Sequence, residues 1–478
     1  MSFNSYDFIL FFVAVFLLYW NTGKMGKSYQ NMVLLATSYF FYGYWDLKFL
    51  LLLLGLTVFN YLGGRYLAYK EAHRKYLLCF FISINLAVLF LFKYFGFFIE
   101  SFQHQFGIEQ STFSVGLHLV LPLGISFYIL QAIGYLVDVY KKKTETCTNI
   151  LHFSLFISFF PQMVAGPIER ANNLIPQLSK KRLFKYEDMA FGFKMILWGF
   201  FKKLVIADNL GHAVNFIFND YANFSGLSLF LGLVFFGIQI YADFSGYSDI
   251  AIGTSRMLGI ELKDNFTYPY FSKNIREFWH KWHISLSSWF RDYVYVPMGG
   301  KSINPTRHGI YVLVVFSLSG LWHGADYHFI AWGATHACLY LFYVYGVKHT
   351  SNSNKSIRKT TNVVSILATF FLVNLAWVFF RANSVTEAFN YLWLMFANLH
   401  LPLSINGFLY FIKSEIGIAF FFVFMAFVFV EFLGRKWNCP LSIFDRYPRY
   451  IKYGVYYLLF IFLFLFTGVE AKFIYFQF

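Results

Sequence analysis

Two histidines, His283 and His323, carry the strongest chemical signal in this 478-residue chain. His323 lies in residues 317–337, SLSGLWHGADYHFIAWGATHA, within a background from Gly309 to Tyr345 that holds no lysine or arginine. Imidazole titrates near neutrality and can take up and return a proton, and a polar group in hydrocarbon is costly to keep without a use. Trp322 precedes it and Asp326 follows, with His328 and His336 farther on. The structural alternative is a histidine that only hydrogen-bonds a neighbouring helix.

His283 falls in residues 275–293, IREFWHKWHISLSSWFRDY. Read as one helix, Ile275, Phe278, Trp279, Trp282, Leu286, Trp289, Phe290 and Tyr293 form an apolar face, while Arg276, His280, His283, Ser287 and Arg291 follow i, i+4, i+7, i+11, i+15 on the other. Basic flanks (Lys263, Lys273, Lys301, Arg307) place it near the cytoplasmic surface. There it is either an interfacial amphipathic helix or the wall of a cytoplasm-facing funnel with His283 pointing in. A helix starting near Gly309 would carry His323 ~20 Å inward at 1.5 Å per residue, past the middle of a hydrocarbon core ~30 Å thick. His283 would stay near the mouth. The HxxH spacing of His280 and His283 lacks a recognisable completing ligand set, so no metal is expected.

Two polar stripes accompany the histidines. Gln239, Asp243 and Tyr247 recur every four residues, with Ser248 and Asp249 following; Tyr128, Gln131, Tyr135 and Asp138 form a second stripe. Acids within apolar segments usually face a cavity or a partner, so both stripes are expected to line one interior channel. Interhelical hydrogen bonding, worth ~0.6 kcal/mol each on average, is the alternative.

The elements that must position these groups are membrane helices. The chain is 58% hydrophobic, 23% aromatic and only 13% charged, which excludes a soluble globular protein. No long polar stretch divides it, so residues 1–478 read as a single membrane domain. The net charge of +15 is clustered in short loops, which reports orientation and argues against nucleic-acid binding. Cys79, Cys147, Cys338 and Cys439 show neither metal nor disulfide spacing. Residues 8–20 read as a retained first helix rather than a signal peptide. Further spans are expected near 31–45, 49–62, 76–98, 117–139, 227–250, 310–321, 329–345, 363–380, 416–432 and 455–466.

The fold class is therefore an all-α polytopic membrane protein with roughly 10–12 transmembrane helices around a central funnel or tunnel. Basic residues after alternate spans, and an acidic loop at 100–110, fit an outside N-terminus. Residues 151–168 lie between two basic clusters and predict a broken, re-entrant segment at Phe159-Phe160-Pro161-Gln162 and Ala165-Gly166-Pro167. Residues 189–204, between Lys180–Lys185 and Lys202-Lys203, predict an in-plane helix, and 351–359 a basic cytoplasmic loop.

REFWHKWHISLSSWFRDYVYVPMGG (276–300), SLSGLWHGADYHFIAWGATHA, DFSGYSDIAIG (243–253), FFPQMVAGPIER (159–170) and the terminal FIYFQF resemble the membrane-bound O-acyltransferase (MBOAT) superfamily. Within it, the chain is most similar to the alginate and peptidoglycan O-acetyltransferase membrane proteins. The resemblance implies that His323 is the catalytic histidine, His283 a second functional histidine and Arg170 a functional basic position. Trp282, Trp322, Asp326, Arg276, Ser287, Arg291 and the stripe residues Gln131, Gln239, Asp243, Tyr247 and Asp249 are the candidates for donor binding or channel lining.

The resemblance also implies a multi-pass protein of the bacterial cytoplasmic (inner) membrane with no bound cofactor. Acetyl-CoA is the expected donor. An extracytoplasmic SGNH-type acetyltransferase is the expected partner, and a cell-envelope polysaccharide the acceptor. D-alanyl transfer to teichoic acid from a carrier-protein thioester and a non-enzymatic acyl-carrier transporter are the alternatives.

Overall fold

The computed structural model describes residues 1, 3–69, 71–107, 120–163, 166–301, 304–347, 360–400, 417–467 and 474. It is all-helical in its main elements, with no strand among the described residues. Among the described residues, six helical segments are long and apolar enough to cross a membrane: Tyr6–Met25, Leu47–Tyr69, Arg74–Phe106, Gly226–Met257, Asn362–Arg381 and Arg449–Phe466. Shorter apolar helices are Ile125–Tyr140, Ile150–Met163 and Ile418–Gly434. The expected loop at 351–359 and most of the terminal FIYFQF lie outside the described residues, as do the start of the expected span 117–139 and Ala165.

The chain divides into two compact units, Met1–Phe193 with Ala251–Lys263, and Lys194–Ile250 with Asp264–Phe478. The first unit contains α1 (Tyr6–Thr22), α2 (Lys27–Gly43), α3 (Leu47–Tyr69), α4 (Arg74–Leu89), α5 (Phe95–Phe106), α6 (Ile125–Tyr140), α7 (Ile150–Ser158), α8 (Phe160–Met163), α9 (Ala171–Leu178) and the start of α10 (Tyr186–Phe200). Its buried polar knot is Arg182, which donates to Tyr19 Oη at 2.8 Å and to Asn31 Oδ1 at 2.7 Å, while Tyr19 donates to the Leu258 carbonyl at 2.8 Å. The predicted break at Phe159 is present: α7 ends where Phe159 leaves the helical region (ψ 108°), and α8 restarts at Phe160, whose N–H donates to Ser38 Oγ. The acidic segment from Glu100 to Phe106 is not a loop. It continues as α5, because an apolar pattern of Phe95, Phe98 and Phe102 keeps helical spacing past the expected end of the span.

The second unit holds α11 (Asp208–Asn219), most of α12 (Gly226–Met257), α13 (Ile275–Lys281), α14 (Ile284–Phe290), α15 (Pro305–His323), α16 (Tyr327–Phe342), α17 (Thr360–Arg381), α18 (Val385–Ala397), α19 (Ile418–Gly434) and α20 (Arg449–Phe466). α10 runs into α11 through a π-helical stretch, Phe201–Ala207. Lys202 and Lys203 lie in that stretch and are buried, where the sequence reading made them a surface-marking cluster. Lys202 pairs with Asp249 at 2.7 Å, and Lys203 with both Asp243 and Asp208 at 2.7 Å. A buried charge persists only when paired, and these lysines are the counter-ions of the α12 acids.

α15 and α16 form an antiparallel hairpin whose backbones meet at glycines. A Cβ on Gly320 would collide with the Phe329 carbonyl, and one on Gly333 with the Phe316 carbonyl. Small residues at such crossings let apolar helices approach closely.

Candidate active site

The WHG motif is a helix terminus. Asn304 caps the start of α15 by accepting from the N–H groups of Thr306 and Arg307, and Pro305 occupies the first turn. The helix ends at His323, with Gly324 extended (φ −152°), and Asp326 restarts the chain by accepting from the His328 N–H at 3.2 Å to cap α16. His323 is thus the last side chain of α15, buried between Trp322 (ring centroids 5.0 Å), Trp332 (5.1 Å) and Phe380 (5.5 Å).

His283 interrupts what the sequence presents as one continuous helix. α13 ends at Lys281, Trp282 is extended, and His283 adopts a left-handed conformation (φ 43°, ψ 54°) before α14 begins at Ile284. A non-glycine residue in this region is strained and persists only when its surroundings hold it. Asn265 supplies part of that hold. Its Oδ1 accepts from the Ser285 N–H (3.2 Å) and the Ser285 hydroxyl (2.9 Å), and lies 3.2 Å from His283 Nδ1.

A backbone N–H can only donate, so the Asn265 atom is the oxygen and His283 Nδ1 must carry the proton. His283 Nε2 is then the acceptor nitrogen. Burial pushes the His283 pKa down, to about 3, so the ring is neutral at physiological pH.

The break turns His283 away from the polar face of α13 and toward His323. Their ring centroids are 6.2 Å apart. The expectation that depth separates the two histidines is therefore corrected: they share one buried site. The correction arises from the left-handed residue, which helical periodicity cannot express.

The remaining polar residues of that face do line a cavity. Arg276, His280, Ser287 and Arg291 border a space of about 820 Å³ that also meets Lys301, with no carboxylate among its described lining residues. Burial, then the charges of Arg276 and Arg291, hold the His280 imidazole below its ordinary pKa. Along α15 the cavity follows His308, Val312, Val315 and Ser319. These positions share one helix face, and the next residue on that face is His323, one turn beyond Ser319. Trp279 and Phe316 also line it, with rings 5.0 Å apart.

Other predicted residues are placed differently. Trp282 is fully buried among Phe278 (5.5 Å) and Trp377 (4.9 Å), in an aromatic layer behind His283. Asp243 accepts from Lys203 and from the Ile474 N–H (2.8 Å), and the Lys203 ammonium lies 5.6 Å over the Tyr247 ring. Asp249 borders a second cavity together with Lys202. Gln239 is buried on α12. Gln131 is buried on α6 of the first unit, and Arg170 caps α9 there with extended backbone.

Sequence reasoning missed Asn265 and the aromatic residues Trp332, Trp377 and Phe380. Nothing local marks Asn265, which lies outside any helix and gains meaning only from Ser285 and His283. His336, on α16, is fully buried against Trp279 (4.9 Å) and Trp332 (5.0 Å), and neither ring nitrogen has a hydrogen-bond partner among the described residues. His328 Nδ1 donates to the Phe379 carbonyl at 2.9 Å, a tie between helices.

Comparison with known proteins gives a consistent result. The sequence model described as "MBOAT, membrane-bound O-acyltransferase family" matches residues 10–385. The chain is 36% identical to a "probable alginate O-acetylase" of Pseudomonas aeruginosa over 406 residues, covering 83% of this chain and 75% of the relative. It is 35% identical to a peptidoglycan O-acetyltransferase of Helicobacter pylori over 420 residues (81% and 78%), and 29% identical to a teichoic acid D-alanyltransferase of Bacillus subtilis over 409 residues (80% and 98%).

Proposed function

The chain belongs to the membrane-bound O-acyltransferase family and is a multi-pass membrane acyltransferase; from that premise we propose that it moves an acetyl group from cytoplasmic acetyl-CoA to a polysaccharide hydroxyl outside the bacterial inner membrane. The observation that carries this reading is the buried His283–His323 pair, 6.2 Å apart, one helical turn beyond a cavity lined by Arg276, Arg291 and Lys301. Arg276, Arg291 and Lys301 suit the phosphates of a CoA thioester, since charge-assisted contacts to phosphate are the strong ones. The face of α15 from His308 to Ser319 then guides the thioester arm toward His323.

In the proposed chemistry His323 is the general base. It takes the proton of the acceptor hydroxyl as that oxygen attacks the thioester carbonyl carbon. The C–S bond breaks, the ester C–O bond is made, and the thiolate receives the proton back from the imidazolium. His283, fixed by Asn265 with Nε2 as acceptor, orients the reacting groups. The acceptor is an alginate-like exopolysaccharide, peptidoglycan or a related envelope glycan, reached directly or through an SGNH-type transferase. This follows the relatives named for alginate and peptidoglycan. D-alanyl transfer is the activity named for relatives at lower identity, 29% and 28%.

The test is thioester cleavage by purified protein in detergent, with glycan ester content measured in cells carrying wild type or His323→Ala. Acetyl-CoA turnover that disappears in the variant supports the reading. Turnover of a carrier-protein D-alanyl thioester but not acetyl-CoA would replace it.

A further inference from the structure

A second cavity, of about 700 Å³, lies in the same unit and plays no part in the chemistry above. α13 presents different faces to the two spaces. Arg276, Trp279 and His280 face the first, whereas Glu277 and Lys281, with Lys273 just before the helix, face the second. Part of the second cavity is internally neutral: Lys202 pairs with Asp249 and Lys281 with Glu277, each at 2.7 Å.

Lys273, Arg435 and Lys436 form a cationic rim, and Asp264 also lines the cavity. Arg435 caps the end of α19, its guanidinium 3.8 Å over the Phe432 ring. All three rim cations are exposed.

The adjoining wall is apolar and belongs to membrane helices. Val363 and Ile366 come from the first turns of the span Asn362–Arg381, and Phe432 from the last turn of the apolar helix α19. Val363 is 60% exposed and Phe432 43%, so the cavity opens sideways along surfaces that face lipid. Trp437, an aromatic of the interfacial type, stands beside the rim, and its carbonyl accepts from Tyr268 Oη at 3.0 Å. The stretch that precedes α17 in the sequence is itself basic.

We infer that this cavity is a binding site for an anionic phospholipid. Basic pockets between membrane helices at the positively charged side hold anionic head groups. Here the phosphate would sit among Lys273, Arg435 and Lys436, and the acyl chains would run along Val363, Ile366 and Phe432. A water-soluble anion would have no use for the exposed apolar wall. The inference is independent of the proposed acetyl transfer.

The experiment is native mass spectrometry of the full chain released from neutral detergent, titrated with phosphatidylglycerol, phosphatidylcholine or inorganic phosphate. Wild type is expected to retain phosphatidylglycerol over phosphatidylcholine. The Lys273→Ala/Arg435→Ala/Lys436→Ala variant should lower that preference by about tenfold or more, because each basic residue adds a salt-screened attraction to the anionic head group. A matched variant of exposed lysines in the first unit, Lys180→Ala/Lys181→Ala/Lys185→Ala, should leave it unchanged. Equal losses in both variants, or none in the first, overturn the site. Displacement of phosphatidylglycerol by millimolar inorganic phosphate from wild type would assign the cavity to a soluble anion and overturn the lipid assignment. Ile366→Trp, which fills the apolar wall and keeps the rim, should also weaken retention, and unchanged retention there likewise counts against a lipid.

Discussion

His283 and His323 stand with their ring centroids 6.2 Å apart, one on the left-handed residue between α13 and α14 and the other at the end of α15. Neither position is a free choice of its own helix. Asn265 holds the first, and the glycine-mediated crossing of α15 and α16 helps place the second.

Loss of the proposed base should remove the reaction without removing the protein. His323→Ala is expected to reduce acyl transfer by about 10²–10⁴-fold, the usual contribution of general base catalysis. Thioester turnover, normalised to folded protein measured by size-exclusion chromatography, checks it. Retained turnover would assign the base elsewhere.

Asn265→Ala leaves the Ser285 N–H, the Ser285 hydroxyl and His283 Nδ1 without their common acceptor. The expected cost is about 1–3 kcal/mol of stability, with a fall in kcat larger than any change in KM. Asn265→Asp retains an acceptor oxygen and should recover most of the rate. Thermal unfolding and steady-state kinetics together distinguish positioning from simple destabilisation.

The basic cavity should discriminate by phosphate. Replacing Arg276, Arg291 and Lys301 by Gln is expected to raise KM for acetyl-CoA by about 10–100-fold, from the loss of charge-assisted contacts. S-acetyl-N-acetylcysteamine, which has no phosphates, should be used equally well by both proteins. Added salt should narrow the difference seen with acetyl-CoA. Equal impairment with both thioesters would mean that the three residues do not act on phosphate.

Removing one member of the buried charge cluster should be costly. Lys203→Met strands Asp208 and Asp243 in the interior and is expected to destabilise by about 3–5 kcal/mol. Restoring neutrality with Lys203→Met/Asp208→Asn/Asp243→Asn should return part of that loss. Detergent-solubilised unfolding temperatures provide the measurement.

The hairpin crossing gives a steric prediction. Gly333→Val drives a side chain into the Phe316 carbonyl and should cost about 1–3 kcal/mol or more, with loss of activity through displacement of His323. Gly309→Ala meets only ordinary contact with Leu341 and should be tolerated. The yield of folded protein and its turnover separate the two.

The sequence alone determined the all-α membrane class, the break at Phe159 and the polar set Arg276, His280, Ser287 and Arg291, which does line a cavity. These properties are local: apolar runs, helical period and motif residues are written in consecutive positions. Only the tertiary structure decided that His283 leaves that set. A single left-handed residue reverses a side chain's direction, and no periodicity records it. Tertiary structure also decided that Lys202 and Lys203 are internal counter-ions of Asp249 and Asp243, rather than surface markers. Charge type is visible in sequence, but the cost of burial is met by a partner on another helix, and that partner is chosen in three dimensions.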